Sequence, residues 1–139
     1  MDDHHLNNFR QMASKICKFI DEHYLYSISK EKICKHVAIS KRRCERIFHD
    51  YFNATLPQFV NAIRIEKTLH RNSRMKNESL FESSLECGFS DSERFHYWWE
   101  MFMKISLEDY DRKNITHTDI AKEEYKEIIE TFYKHLKLK

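Results

Sequence analysis

The sequence predicts an all-α protein, and three observations predict it. Only one Gly and one Pro occur in 139 residues, too few for a turn-rich sheet architecture. Apolar residues recur at i, i+3, i+4 and i+7 through most of the chain, the spacing of a helix with one buried face. A pattern of short helix, tight turn and longer helix occurs twice. The single Gly also excludes Gly-rich phosphate loops and the dinucleotide fingerprint, where several glycines let backbone approach the ligand.

Residues 1–12 are a polar N-terminal segment, MDDHHLNNFRQM, and Met12 begins a helical stripe continued by Ile16, Phe19, Ile20 and Tyr24. Ser29 is placed to cap a second, short helix with Ile33 and Val37 inward. The turn Ala38-Ile39-Ser40 leads into a third helix capped by Ser40, which Asn53 is suited to end in a left-handed conformation. These elements make a first subdomain, residues 13–56. Pro57 suits the first turn of a long linker helix, residues 57–76, with Phe59 and Ile63 on its apolar face. In a second subdomain, residues 77–112, Ser79 caps a short helix carrying Leu80, Phe81 and Leu85. A CGFS turn follows. Ser90 and Glu93 then have the spacing of a capping box, and Phe95, Trp98, Trp99 and Phe102 form an apolar foot. Core packing is the reading of that foot, because its spacing is helical; a base-stacking platform is the sharper alternative. In the C-terminal segment, residues 113–139, Asp119 is placed to cap a helix with the stripe Ala121, Tyr125, Ile128, Phe132 and Leu136. That stripe must be covered, by its own domain, or else by dimerisation or a partner's groove; the protein is expected to be a monomer.

The repeat is detailed. Ser29, Val37, Ala38, Ile39 and Ser40 match Ser79, Cys87, Gly88, Phe89 and Ser90 at an offset of 50, and with one further residue Cys44, Ile47, Phe48 and Phe59 match Phe95, Trp98, Trp99 and Tyr110. A helix, a short turn and a second helix with polar groups outward is the layout of the helix-turn-helix. The first helix and the core hold the second by its apolar face, leaving the other side free to enter a major groove about 12 Å wide. Two such units on one linker helix have the layout to reach successive grooves about 34 Å apart.

The net charge of +2 hides an asymmetry. Residues 30–76 carry 12 cations and 4 acids, whereas residues 77–112 carry 3 and 9. A basic block of this kind points to a polyanion partner. Its densest part is SKRRCERIFHDYF, residues 40–52. As a helix it buries Cys44, Ile47, Phe48 and Tyr51 and turns Arg42, Glu45, Arg46 and His49 outward, flanked by Lys41 and Arg43. A solvated charged face is the plain alternative for such a comb in isolation.

ISKEKICKHVAISKRRCERIFHDYFNATLPQFVNAIRIEK and LFESSLECGFSDSERFHYWWEMF, with GFSD and Tyr110 as the most telling features, resemble the DNA-binding domain of the AraC/XylS family of transcriptional regulators. The likeness covers residues 13–112, and the expectation is a stand-alone, MarA/SoxS-like member without an upstream effector-binding domain. The resemblance implies a monomer that binds double-stranded DNA and recruits RNA polymerase, an activator by the family's habit. It places base contacts on Arg42, Glu45 and Arg46, the same three residues as the comb. Lys41, Arg43, His49, Arg64, Lys30 and Lys35 are then candidate phosphate contacts.

Departures occur in both units, and those on the recognition helix fall in the second. Tyr97 and Glu100 stand where the family usually has arginine and lysine, family glycines appear as Ala38, Asn53 and Lys104, and a proline appears as Leu107. Ser92, Glu93, His96, Tyr97 and Glu100 form the outer side of the second recognition helix, and its carboxylates have the wrong sign for phosphate. The expectation is that the first unit reads DNA while the second makes weak DNA contacts or serves a protein partner. The alternative function is an interaction module on the same fold, modulating another regulator or polymerase with weak DNA binding.

No enzyme is expected, because no nucleophile elbow or acid pair is evident, and no cofactor is implied. The nine histidines lack paired ligand spacing, so no metal site is expected either. No apolar run approaches the roughly 18 residues of a membrane span, and the polar, acidic start argues for a soluble, cytoplasmic protein. Cys17, Cys34, Cys44 and Cys87 show no C-x-x-C pair and read as reduced, buried thiols; a redox-responsive Cys44 among arginines is the minor alternative.

Overall fold

Caps set most helix boundaries in the computed structural model, which describes residues 3–110 and 117–137, with side chains in 8–110 and 119–137. The expected boundary at 112/113 and the side chains of His4 and His5 lie outside the described residues. α1 (Asp3–His23) begins well before the stripe that announced it. α2 (Lys30–Val37) is capped by Ser29, and α3 (Lys41–Arg46) by Ser40, whose hydroxyls accept from the amides of Lys32 and Arg43. α3 continues as a π-helical segment, Ile47–Phe52, closed by Asn53 in the left-handed region at φ 52°. α4 (Leu56–Arg74) starts with Pro57 in its first turn and a Thr55–Gln58 capping box. α5 (Leu80–Leu85) and α6 (Ser92–Phe102) follow, then the short α7 (His117–Ile120) and α8 (Glu123–Leu136). Among the described residues there is no strand, only an isolated bridge between Met103 and Ala121. The all-α expectation therefore stands, and among the described residues no helix is long and apolar enough to cross a membrane.

Three local expectations are corrected. α6 is capped by Asp91, whose carboxylate accepts from Arg94 N at 2.8 Å, rather than by a Ser90–Glu93 box. The extra residue of the second repeat is therefore taken up before the cap. Asp119 lies in α7, and α8 begins four residues later with Lys122 at its cap position. In α5 the buried positions are Ser83 and Ser84, while Phe81 and Leu85 face outward. Those small hydroxyls let α5 lie close on α4, where Ser83 Oγ accepts from Asn72 Nδ2 and donates to Glu78, and Ser84 donates to the Phe81 carbonyl.

One core runs through both units. α4 is its spine, packing against α5, α6 and α8, while α1 packs on α2 and α8. The two apolar feet enter it. Cys44, Ile47 and Phe48 are buried from the first, with Tyr51 half-buried; Phe95, Trp99 and Phe102 are buried from the second, and the Trp99 indole donates to the Ile105 carbonyl at 2.9 Å. Ring stacking on DNA is thus excluded for these buried rings.

α8 lays its stripe on its own chain. Tyr125, Ile128, Phe132 and His135 are buried against α1 and α4. The docking also has a polar centre. Glu66 of α4 is buried and accepts from the Tyr125 and Tyr133 hydroxyls, with His70 Nε2 at 2.9 Å. The buried charge is matched by three partners, as a carboxyl in a low-dielectric interior requires. Burial first, and then the Glu66 charge, pushes both tyrosine hydroxyls above their ordinary range. His135 completes the seam at Ser14 Oγ, 3.2 Å away.

The two turns of the repeat show why the second one keeps Gly. Ala38 occupies the left-handed region at φ 61°, but Gly88 sits at φ 103°, and a Cβ there would lie 2.5 Å from the Tyr24 carbonyl oxygen and 2.9 Å from Arg64 Nε. Gly88→Ala is expected to destabilise the chain by at least about 1–3 kcal/mol, from backbone strain before any clash is counted. Urea unfolding of the variant checks this; an unchanged midpoint would show the turn to be adaptable.

Candidate nucleic-acid interface

Arg42 and Arg46 stand on the exposed side of α3, and neither meets a carboxylate or a hydrogen-bond partner among the described residues. Their helix is anchored from behind by Cys44, Ile47 and Phe48. Two guanidinium groups are therefore presented on a fixed scaffold, each able to donate two parallel hydrogen bonds to a guanine edge. Glu45, beside them, is tied to Lys30 at 2.7 Å, an exposed pair in which the lysine holds the carboxyl below its usual range. Lys41 pairs with Glu31 at 2.9 Å, also in solvent. Exposed pairs of this kind are worth little, so a phosphate or base edge competes easily for either partner. His49 is exposed and touches Asp50 at 2.6 Å, and Lys35 is exposed in the last turn of α2.

Two of the nine expected contacts of the first unit and linker are occupied otherwise. Arg64 donates through Nε to the Tyr24 carbonyl at 2.8 Å, through Nη2 to the Tyr26 carbonyl at 2.9 Å and through Nη1 to Asn61 Oδ1 at 3.2 Å. Burial lowers its pKa from the usual value, with repulsion from Arg94 adding to it. Lying close to Gly88, it fastens the segment that follows α1 to α4. Arg43 turns toward α1, its guanidinium 5.3 Å from the Phe9 ring centroid, with Nε and Nη2 buried and without acceptors. A helix three residues to four per turn carries Arg43 to the flank rather than the front of the comb.

On α6, Ser92, Glu93, His96, Tyr97 and Glu100 are all exposed, and His96 Nε2 lies 3.3 Å from Glu100. Tyr97 is 56 % exposed and lines a trough with Phe81 and Met101, which are also exposed. This side is acidic and apolar together. Arg94, in the first turn of α6, is the helix's single arginine or lysine and was not among the expected contacts; its exposure and its closeness to Arg64 single it out. Sequence spacing alone held the signal, since Arg94 lies off the stripe of Phe95 and Trp99.

No group of three or more His, Cys, Asp or Glu side chains among the described residues is arranged to hold a metal ion. All four cysteines are free thiols, and burial pushes Cys44 up to about 12, opposite to what a reactive thiolate needs. Titration of the native protein with a thiol reagent is expected to modify the half-exposed Cys34 first and to leave Cys44 for the unfolded chain. Faster reaction at Cys44 would contradict its burial.

Comparison with known proteins fits this geometry. A model of a helix-turn-helix domain matches residues 33–113. The chain is 29 % identical over 80 residues to the HTH-type transcriptional regulator ArgR of Pseudomonas aeruginosa, covering 57 % of this chain and 24 % of that protein. It is 24 % identical over 109 residues to the transcriptional regulatory protein HptR of Staphylococcus aureus, covering 78 % and 40 %. An uncharacterized response regulatory protein of Staphylococcus epidermidis is 23 % identical over 113 residues, covering 81 % and 41 %. The chain thus spans between a quarter and two fifths of the length of these relatives. No solved structure matches it.

Proposed function

The chain belongs to the AraC/XylS-type helix-turn-helix family, and from that premise we propose that it is a sequence-specific DNA-binding transcriptional regulator that reads DNA mainly through α3. The observation that carries the reading is the pair of unpartnered arginines, Arg42 and Arg46, on the exposed side of an anchored helix. Arg46 and Arg42 address guanine edges, and Glu45, once released from Lys30, accepts from a cytosine amino group. Lys30, Lys35, Lys41 and His49 hold the phosphates on either side, joined by Arg94 from the second unit. Arg43 and Arg64 are left out of this set because their guanidinium groups are used inside the protein. The regulator acts in the cytoplasm, without a catalytic step, as a monomer that activates by recruiting RNA polymerase. The resemblance supports that last part, and α8 supports the monomer because its stripe is already covered.

α6 contributes little base reading, since Glu93 and Glu100 repel phosphate. The test is a gel-shift titration against genomic fragments at two salt concentrations. A regulator gives a subset of fragments bound well above the rest, and the double reversal Glu93→Lys with Glu100→Lys does not weaken specific binding, because two phosphate-repelling carboxylates become cations. A large loss would mean that α6 already sits productively in a groove. Equal weak binding to all fragments would favour the rival, an interaction module with little DNA affinity.

A further inference from the structure

We propose that the trough over α6 is a docking groove for one amphipathic helix of a protein partner, apolar along one side and flanked by lysine or arginine. The proposal rests on the reading above, in which this face of the second unit stays out of DNA. Large apolar side chains that are at least a third exposed are few among the described residues, and Phe81, Leu85, Tyr97 and Met101 gather on α5 and α6. Leu80, Phe81, Tyr97 and Met101 line a trough of about 890 Å³, with Glu93 and Glu100 beside them. Met101 and Lys122 also line an adjoining trough of mixed polar and apolar lining that reaches α8, where Glu124 and Glu127 stand at its edge. Four carboxylates thus border the track formed by the two troughs. Among the described residues Lys122 is the single lysine or arginine lining either trough, and its Nζ donates to the Glu100 carbonyl at 3.0 Å.

This combination selects the occupant. Phosphate meets repulsion along the track, and an anionic or purely polar partner leaves the apolar floor wet. An extended peptide needs a strand edge for its backbone, and the described residues contain no strand. A helix satisfies its own backbone, places apolar side chains at i, i+3, i+4 and i+7 on the floor, and brings flanking cations to the carboxylates. Tyr97 and Met101 are the residues that turn a second recognition helix to this use. Tyr97 stands where the resemblance expects an arginine, and Met101, one turn on, extends its exposed apolar side.

The probe is a fluorescent peptide of about 16 residues, some four helical turns, with Leu at i, i+3, i+4 and i+7 and Lys elsewhere. Anisotropy is expected to show binding that Tyr97→Ala with Met101→Ala, and separately Glu93→Lys with Glu100→Lys, weaken by about tenfold or more. Arg46→Ala is expected to leave it unchanged. A scrambled peptide of the same composition is expected to bind about tenfold more weakly, since hot-spot contacts depend on register. All substituted side chains are exposed, and circular dichroism confirms that each variant is folded. Equal binding of the scrambled peptide, or indifference to both double variants, overturns the proposal. So does a concentration-dependent dimer mass that Tyr97→Ala with Met101→Ala abolishes, because the occupant is then a second copy of this chain. The underlying reading fails separately, and takes the groove with it, when the Glu93→Lys, Glu100→Lys variant loses specific DNA affinity.

Discussion

Arg46→Ala is expected to cost about 1–3 kcal/mol of binding at selected sequences while leaving affinity for unrelated DNA close to that of the parent protein. The asymmetry follows from position. Arg46 projects from the exposed side of α3 and holds no ion pair among the described residues, so removing it disturbs no internal contact. What is lost is a bidentate bond to a base edge, a term that non-specific complexes lack. Lys35→Ala should behave in the opposite way, weakening every fragment alike and lowering the salt dependence by about one phosphate contact. Gel shifts at two salt concentrations separate the two patterns. Uniform weakening by Arg46→Ala would make this arginine a phosphate clamp and leave base reading without its main residue.

Phe132→Ala is expected to remove about 3–5 kcal/mol of folding stability, the cost of truncating a fully buried aromatic ring. Phe132 is 0 % exposed on α8 and meets the Phe59 ring edge to face at 6.4 Å between centroids. Phe59 itself stacks on Phe52 at 4.5 Å, at the end of the segment that follows the recognition helix. A cavity at Phe132 therefore loosens the first unit as well as the C-terminal helix. Since single domains hold only about 5–15 kcal/mol in total, this one substitution brings the chain near the limit of stable folding. Urea unfolding measures it, with Phe81→Ala as an exposed control that should change little. A small effect of Phe132→Ala would mean that α8 is a detachable appendage.

The helix-turn-helix match ends at residue 113, yet α8 is built into the core. Its amphipathic stripe was legible because the 3.6-residue period of Tyr125, Ile128 and Phe132 is a local property. What the stripe covers was not. That depends on Glu66, which reads in sequence as one more charge on the linker helix and in the fold accepts hydrogen bonds from two tyrosines of α8. The same limit applies to the comb. Arg42, Arg43 and Arg46 are chemically alike and close in sequence, and only the packing of α1 decides that Arg43 lies against Phe9. Arg64 looked like a phosphate contact because it is a cation in a basic block. Two of its three internal bonds go to carbonyls 38 and 40 residues away, which no local pattern reports.

By itself the sequence determined the all-α class, the repeated helix-turn-helix, the linker helix, and the caps at Ser29, Ser40 and Ser79, since period and capping act within a few residues. Tertiary structure alone decided which cations remain free, which carboxylate is buried, and that Phe81 and Leu85 yield the interior of α5 to two serines. The physical reason is that solvation and pairing are set by whichever group arrives from a distant part of the chain, and a side chain's own type does not encode that neighbour.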